Sequence, residues 1–360
     1  MIAVYVSGHG FGHATRVGEV LRHFREAEPS VPIAISSAAP EALFRAALGT
    51  AFLFRSLGCD VGLAQHDALT IDLERTAARC LDFAQAFPAL VRAEAVWLRE
   101  REVRLVIGDI PPLASAAGTA AGLPSLAIGN FSWDWIYRHF AAGRRALGEA
   151  ADLAARAYAG TSLLLELPFA GDLSVFPRRQ KIPLIARRPG FGRDEVRARL
   201  GIGGGPLVLW SFGGLGLPGF DPARLAILRD FRFLMVGEGS AFENVLVVPQ
   251  ERLEELSISY VDLVGAADVV VTKPGYGIVS DALGARTRLL YTDRGDFPEY
   301  PILVREMAPL LPARHVSQVD LLAGRLGPAL EALLAAPFPP APDLSGAGRA
   351  AETIRELLSD

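Results

Sequence analysis

A histidine beside a glycine-rich loop is the first group in the sequence that could carry acid–base chemistry. The loop Gly8–Gly12 follows a short apolar segment, and His13 comes directly after it, at the predicted start of a helix. The positive end of a helix dipole disfavours an imidazolium ion, so we expect His13 to be neutral and able to accept a proton. The alternative is a histidine that only caps the helix. His9, in the same loop, is a second candidate for this chemistry.

A carboxylate, Asp109, directly follows the apolar segment that begins at Leu105. In open α/β sheets, ligands bind outside the carboxyl ends of the strands. At such a position Asp109 could orient His13 or act as a base itself. Its alternative role is to form a turn.

The second half of the chain contains groups suited to an anionic ligand. Backbone N–H groups at Gly213 and Gly214 could cradle a phosphate, and a plain strand-to-helix turn is the alternative. Further on, a strand ends at Thr272, and a turn with two glycines leads into another helix. The residues of this turn that we expect to face a diphosphate are Lys273, Gly275, Tyr276 and Gly277.

Asp281 lies one turn into the helix that follows. We expect it on an exposed edge that faces the strand ends, where its carboxylate could reach ribose hydroxyls. Lys273 could add positive charge near the phosphates. The alternative is an ordinary loop followed by a solvated helix acid.

Two common nucleotide motifs do not fit. The first glycine loop has the spacing G-x-G-x-G, and the second strand ends in Ser36-Ser37 with no acid to hold a ribose, which argues against NAD or FAD. No Gly-Lys-Ser or Gly-Lys-Thr sequence occurs, so there is no Walker loop. We therefore expect no cofactor.

The elements that must position these groups alternate between short apolar strands and helices. The pattern strand, glycine loop, helix opens both halves of the chain, which predicts an α/β protein with two Rossmann-like domains and parallel sheets. We place the first domain at residues 1–175 and the second at 176–345. An amphipathic helix at 346–360 is expected to cross back to the first domain.

Composition excludes several classes of protein. A net charge of −4 argues against bulk binding of nucleic acid or anionic membranes. The two cysteines lack the spacing of a zinc site or a disulfide framework, so we expect no metal and a cytoplasmic location. The uncharged stretch 110–133 is interrupted by proline and glycine, which disfavours a membrane helix. Membrane association is possible in principle, but no basic amphipathic helix supports it.

Four motifs carry a resemblance to a known family. They are HGFGHATR at His9–Arg16, QHDALTID at Gln65–Asp72, NFSWDWIY at Asn130–Tyr137 and KPGYGIVSDAL at Lys273–Leu283. Over nearly the whole chain the sequence resembles GT-B glycosyltransferases of the MurG type, the N-acetylglucosaminyltransferases of murein synthesis. It is most similar to the glycosyltransferase-like N-terminal domain of plant L-arabinokinases. No sugar-kinase segment follows, so we expect the transferase-like part alone.

The resemblance implies a GT-B fold, in which two Rossmann-like domains face each other across a cleft. It also implies a nucleotide-sugar donor on the second domain and an unidentified acceptor on the first. Gly213 and Gly214 match a diphosphate loop, and Asp281 matches a ribose-binding acid that is usually Glu. Asp296 and Glu299 match donor-sugar contacts, and His13 matches a catalytic base.

Further polar and aromatic residues could bind the acceptor. Aromatic faces such as Trp133 stack on sugar C–H groups, although aromatic clusters also form plain core. Asp134 is hard to explain as core, because an unpaired buried carboxylate is costly. Gln65 and Asp67 follow another strand and could hold a hydroxyl.

Together these observations predict a metal-independent glycosyltransferase that uses a nucleoside-diphosphate sugar, a UDP-sugar in our reading, and an acceptor hydroxyl. One alternative is a nucleotide-sugar hydrolase or epimerase on the same fold, because a fold does not determine the chemistry. Another is a sugar- or nucleotide-binding module without catalysis.

Overall fold

The computed structural model describes residues 1–67, 69–213, 217, 219–239 and 242–359. Its contacts divide the chain into two compact units. Unit 1 comprises residues 1–64, 71–185 and 343–360, and unit 2 comprises residues 65–70 and 186–342. The main division therefore falls after residue 185, whereas the sequence placed it after 175. The reason is that residues 179–181 add a strand to the sheet of unit 1.

The described strands are short and mostly buried. In chain order they are β1 (Ile2–Val6), β2 (Ile33–Ser37), β3 (Leu53–Ser56), β4 (Leu105–Asp109), β5 (Ser125–Gly129), β6 (Leu163–Glu166), β7 (Arg179–Lys181), β8 (Leu207–Ser211), β9 (Arg232–Val236), β10 (Val245–Val248), β11 (Val269–Thr272), β12 (Arg288–Tyr291) and β13 (Ala313–His315).

The helices alternate with these strands, and a 3₁₀ helix spans Pro222–Ile227. The described α-helices are α1 (Phe11–Ala27), α2 (Glu41–Leu48), α3 (Leu73–Glu100), α4 (Pro112–Ala121), α5 (Trp133–His139), α6 (Arg145–Tyr158), α7 (Arg193–Arg199), α8 (Gln250–Glu255), α9 (Tyr260–Ala266), α10 (Tyr276–Ala285), α11 (Glu299–Met307), α12 (Gln318–Leu322), α13 (Gly327–Ala335) and α14 (Gly346–Ser359).

Each unit contains one sheet whose paired strands are all parallel. The order in unit 1 is β3-β2-β1-β4-β5-β6-β7, and the order in unit 2 is β10-β9-β8-β11-β12-β13. Nearly continuous apolar runs such as Ile2–Val6 are fully buried, as expected for parallel strands covered by helices on both faces. The prediction of two Rossmann-like α/β units is confirmed. The helix α14 belongs to unit 1, where it packs against α1.

The strand order of each sheet reverses at one point. In unit 1 this point lies between β1 and β4, where Val6 pairs with Asp109. In unit 2 it lies between β8 and β11, where Ser211 pairs with Thr272. Ligands of open α/β sheets bind at such switch points, outside the carboxyl ends of the strands. The topology therefore places both glycine loops of the sequence at candidate sites.

A glycine with positive φ allows the first loop to enter its helix. Gly10 has a φ of 81° immediately before α1 begins, a conformation that costs other residues energy. The turn brings His13 into the first turn of α1 and, on the next turn, buries Arg16. Across the part of the chain that the structure describes, no helix is both long and apolar enough to cross a membrane.

Candidate active site

His13 and Asp109 meet at the switch point of unit 1. The Nδ1 atom of His13 lies 2.8 Å from Oδ1 of Asp109, and the histidine is only 8% exposed. Asp109 is fully buried at the end of β4. A histidine held by a carboxylate through one ring nitrogen can use the other nitrogen as a general base.

Arg16 holds the other side of the same carboxylate. Its Nε atom donates to Oδ2 of Asp109 at 2.8 Å, and its Nη2 atom donates to Oδ1 at 2.5 Å. The Nη1 atom also donates to Oδ1 of Asn130, at 3.2 Å. Both Arg16 and Asn130 are buried, so this hydrogen-bond network fixes the Asp109 side chain.

The charge of Asp109 is stabilised by these neighbours. Burial acts to raise its pKa, but the positive charges of Arg16 and of protonated His13 outweigh burial and hold the pKa below the ordinary value. Asp109 is therefore ionised at neutral pH and can orient the imidazole of His13.

A second carboxylate, Asp60, lies near the glycine loop of unit 1. It accepts a hydrogen bond from the indole Nε1 of Trp133 at 2.8 Å. Burial raises the pKa of Asp60, although hydrogen bonds from Ser7, Trp133 and Gly8 and the charge of His13 all act to lower it. Asp60 thus connects the loop after β3 with the loop that precedes His13.

The structure changes the interpretation of two aromatic-segment candidates. Trp133 is fully buried, so neither face of its ring can stack on an acceptor sugar; its role is to pack and to hold Asp60. Asp134 is partly buried in the first turn of α5, and burial raises its pKa. Its Oδ1 atom is buried and has no hydrogen-bond partner among the described residues.

His9 is partly buried in the glycine loop. Its ring meets Trp133 edge-on at 5.5 Å between centroids, and its Nδ1 atom accepts from the Leu63 N–H at 3.4 Å. These contacts place His9 beside Trp133 and give it a structural anchor.

Gln65 and Asp67 do not group with unit 1, where the sequence interpretation expected an acceptor site. The segment 65–70 belongs to unit 2 by its contacts, and Leu69 packs against the core of that unit. Asp67 accepts hydrogen bonds from the N–H groups of Leu69 at 2.7 Å and Thr70 at 2.9 Å. Burial acts to raise the pKa of Asp67, but these hydrogen bonds outweigh burial and lower the pKa.

The second glycine region carries positive charge at the end of β11. Burial and the nearby charge of Arg294 lower the pKa of Lys273 to about 8, whereas Asp67 acts in the opposite direction. Gly275 is the N-cap of α10 and gives no side-chain hydrogen bond to the helix, and Tyr276 and Gly277 form its first residues. Backbone N–H groups at a helix start attract anions.

The two glycines after β8 are only partly described. Gly213 has a φ of 73°, which is the left-handed region that favours glycine. Gly214, the other expected phosphate contact, lies outside the described residues.

Asp281 is not on an exposed edge, contrary to expectation. It is only 5% exposed, and Arg187 approaches both of its carboxylate oxygens, with Nε 3.1 Å from Oδ1. A Cβ atom at Gly284 would overlap the backbone carbonyl of Arg187, so this glycine allows the close approach. Any ribose that binds Asp281 must therefore share the carboxylate with Arg187.

The two expected donor-sugar residues have different environments. Asp296 is exposed in the loop after β12. Glu299 is buried at the start of α11, and its Oε2 atom accepts from Nη1 of Arg294 at 3.1 Å. Arg294 also donates to the carbonyl of Pro274, which links Glu299 to the turn before α10. Glu299 therefore positions Arg294, and Asp296 is the more accessible of the two.

Sequence reasoning missed Arg16, Asp60, Asn130, Arg187 and Arg294. Arg16 and Asn130 lay inside the quoted motifs, which was a usable signal. The other arginines had none, because arginine makes up nearly all of the 36 basic residues and surface arginines are common. Among the described residues, no group of three or more His, Cys, Asp or Glu side chains is arranged to hold a metal ion.

Two Rossmann-like units with these sheet orders define the class of the fold, which is GT-B, the fold of many glycosyltransferases. A UDP-glucosyltransferase from Polygonum tinctorium that can glucosylate indoxyl matches 100% of this chain and 98% of its own, with a TM-score of 0.60 and 12% identity. The glycosyltransferase VinC in complex with dTDP matches 99% of this chain and 95% of its own, with a TM-score of 0.56 and 18% identity.

A curated relative matches at the level of sequence. The L-arabinokinase of Arabidopsis thaliana is 31% identical over 337 residues, which cover 92% of this chain. The same match covers 32% of the relative, so this chain spans about a third of that protein's length. No model of a protein family matches the sequence. The MurG-type specificity stays a prediction.

Proposed function

We propose that the chain is a glycosyltransferase that moves a sugar from a nucleoside-diphosphate sugar, specifically a UDP-sugar, to an acceptor hydroxyl. The observation that carries this proposal is the His13–Asp109 pair, 2.8 Å apart at the switch point of a GT-B unit. A neutral histidine held by an ionised carboxylate is suited to take a proton from a hydroxyl group. The similarity to a UDP-glucosyltransferase and to a dTDP-bound glycosyltransferase supports the donor class.

In this mechanism His13 removes the acceptor proton while the acceptor oxygen attacks the anomeric carbon of the sugar. The bond between that carbon and the diphosphate breaks, and the electron pair leaves with the nucleoside diphosphate. The start of α10 and the charge of Lys273 would stabilise the leaving diphosphate in place of a metal ion. Gly213 and Gly214 would add backbone N–H groups to the same site.

The remaining candidates divide between donor and acceptor. Asp281, steadied by Arg187, would bind the ribose hydroxyls, and Asp296 would contact the donor sugar. Asp134 and His9 remain acceptor candidates in unit 1. Gln65 and Asp67 are better assigned to the donor side, because their segment belongs to unit 2 and Asp67 acts on Lys273.

The first experiment is a thermal-shift panel with UDP, GDP, ADP and dTDP on the wild type and on Asp281→Ala. A ligand at about 100 times its Kd adds roughly 2.7 kcal/mol, which is a shift of about 5–11 °C for a unit of this size. We expect UDP to give the largest shift and Asp281→Ala to lose it. Absence of any shift in the wild type would contradict the donor assignment.

Turnover then separates the chemical alternatives. UDP-sugars are incubated with an acceptor panel that includes L-arabinose, the sugar in the name of the curated relative. Sugar transfer supports the proposal. Release of free sugar at the same rate without any acceptor would identify a hydrolase. Conversion to an isomeric UDP-sugar would identify an epimerase. Binding without turnover would identify a non-catalytic module.

A further inference from the structure

Three other ionisable side chains interact with His13 at the switch point of unit 1. His13 contacts Asp109 from the first turn of α1, and Arg16 reaches the same carboxylate from the next turn. Asp60 acts on His13 through its charge from the loop after β3. The ring of Phe131 meets His13 edge-on at 5.7 Å between centroids and carries no charge. Thus two carboxylates and one guanidinium face the imidazole.

We propose that Arg16 is the positioning residue that fixes the tautomer of His13: by holding Asp109 as an oriented anion, it places the ring proton on Nδ1 and leaves Nε2 as the basic nitrogen. This inference rests on the proposed role of His13 as the base. It assigns a task to the last residue of the HGFGHATR motif, which the mechanism above does not otherwise use.

The hydrogen-bond geometry determines which atom carries the proton. Nδ1 of His13 and Oδ1 of Asp109 are 2.8 Å apart, so one of the two atoms must donate, because two acceptors at this distance would repel. Arg16 can only donate, and its fork reaches both oxygens of Asp109. The Nη2 atom of Arg16 also lies 3.3 Å from Nδ1 of His13, but it is much closer to Oδ1 of Asp109, at 2.5 Å, so the carboxylate and not the ring accepts its hydrogen bond. The carboxylate is therefore the acceptor on both sides, and the proton lies on Nδ1.

The charge balance explains why the arginine is needed. With Arg16 neutralised, Asp109 would be a buried anion without its main cation, and the site would bind an extra proton. That proton could lie on Asp109, which would then donate to Nδ1 and leave the hydrogen on Nε2. It could instead complete an imidazolium ion. In both cases Nε2 carries a hydrogen and cannot accept another from a substrate.

The experiment compares Arg16→Gln with Arg16→Lys. Glutamine keeps a hydrogen bond to Asp109 without the charge, and lysine keeps the charge without the fork. Arg22→Gln, on the same helix and ion-paired to Glu19 and Glu26, is the matched control. The two readouts are the pH dependence of UDP-sugar turnover and the ¹⁵N spectrum of the His13 ring, assigned by the signal lost in His13→Gln.

We expect the acid limb of the pH–rate profile to move upward by about 1–3 pH units in Arg16→Gln, the range expected for loss of one adjacent charge. Its kcat should fall about tenfold or more near neutral pH and recover in alkaline buffer, while the KM for the donor is unchanged. The ¹⁵N spectrum should show hydrogen on Nε2 in Arg16→Gln and only on Nδ1 in the wild type. Arg16→Lys should retain the wild-type tautomer of His13 and the wild-type acid limb of the pH–rate profile, with a lower kcat.

An equal loss of rate at every pH, with the wild-type tautomer retained in Arg16→Gln, would show that Arg16 has only a packing role and would overturn the proposal. So would a wild-type ring protonated on Nε2 instead of Nδ1. The spectrum needs no substrate, so it decides the inference even if the wild type turns over no UDP-sugar. If Arg16→Gln does not fold, a shifted limb or altered tautomer in Arg16→Lys overturns the proposal.

Discussion

Unit 1 and unit 2 both place a glycine loop between a buried strand and a helix, at the switch point of a parallel sheet. In unit 1 a carboxylate at the end of β4 contacts a histidine, which suits proton transfer. In unit 2 a lysine at the end of β11 and an uncapped helix start create a positive site, which suits a diphosphate. The glycines of the two loops therefore only allow a ligand to approach the strand ends, whereas the side chains at the strand ends determine the chemistry of each site.

The ion pair of Arg16 with Asp109 is more deeply buried than the ion pair of Arg187 with Asp281. The side chains of Arg16 and Asp109 are 5% and 0% exposed, whereas those of Arg187 and Asp281 are 24% and 7% exposed. If its carboxylate partner is removed, Arg16 remains buried away from water, whereas Arg187 is already partly exposed to water. Stability measurements can therefore test the contrast directly.

The largest effect is expected for Asp109→Ala, which leaves the guanidinium of Arg16 buried without its anion. This change should lower the free energy of unfolding by about 3–5 kcal/mol, the usual cost of breaking a buried pair. Urea denaturation followed by tryptophan fluorescence measures it. Because the pKa of Asp109 is lower in the folded chain than its ordinary value of 3.8, the stability that wild type gains from this pair should be present above pH 3.8 and decline as the pH falls below it. A loss under 1 kcal/mol would refute tight burial.

Trp133→Phe should have the next largest effect. It removes the indole N–H that Asp60 accepts at 2.8 Å and keeps an aromatic ring in the core. Loss of a hydrogen bond to a charged group costs about 1.5–3 kcal/mol. The same denaturation assay applies, with Trp97→Phe as the control, because the Trp97 ring packs against the guanidinium of Arg55, whereas Trp133 is the tryptophan that donates to Asp60. Equal losses in the two variants would mean that ring volume, not the hydrogen bond, decides the result.

Asp281→Ala should destabilise less, by about 1–2 kcal/mol, because Arg187 is partly exposed and can turn toward water. The measurement is the unfolding midpoint in the absence of nucleotide, with the exposed carboxylate variant Asp230→Asn as a control. A cost as great as that of Asp109→Ala would remove the proposed distinction between the units.

The smallest effect concerns the pH dependence of nucleotide binding. The pKa of Lys273 is about 8, so a diphosphate, which favours the ammonium form, should bind more tightly below that pH and more weakly above it. Between about pH 7 and pH 9, where the phosphates of UDP are fully ionised, the loss should be under about tenfold. Isothermal titration measures it. Lys273→Arg keeps its positive charge at pH 7 and at pH 9, so the pH dependence of UDP binding should disappear in this variant. A pH dependence that persists in Lys273→Arg would belong to another group.

Much of the fold could be predicted because apolar runs and turn residues mark the elements. The apolar runs 245–248, 269–272 and 288–291 of the sequence form the strands β10, β11 and β12. The segment 41–48 forms the helix α2, and Pro40 and Gly49 mark its two ends. These segments combine a clear period with a clear boundary, so local sequence was sufficient.

The site could be predicted only in part. His13 and Asp109 were found because strand ends meet at one edge of a sheet, although 96 positions separate them. The exposure of Asp281 was wrong, because its partner Arg187 lies 94 positions away and no local pattern marks the pair. Likewise, nothing near residue 65 in the sequence indicates that the segment 65–70 packs on unit 2.

The central claim is that the two sites divide the work, with proton transfer in unit 1 and nucleotide binding in unit 2. The most direct test measures both quantities on one variant, His13→Gln. We expect UDP to bind this variant with the wild-type Kd, while turnover of the UDP-sugar falls about 100- to 10,000-fold, the range for loss of a general base. A wild-type rate in His13→Gln, or a loss of UDP affinity that matches the loss of rate, would contradict the account.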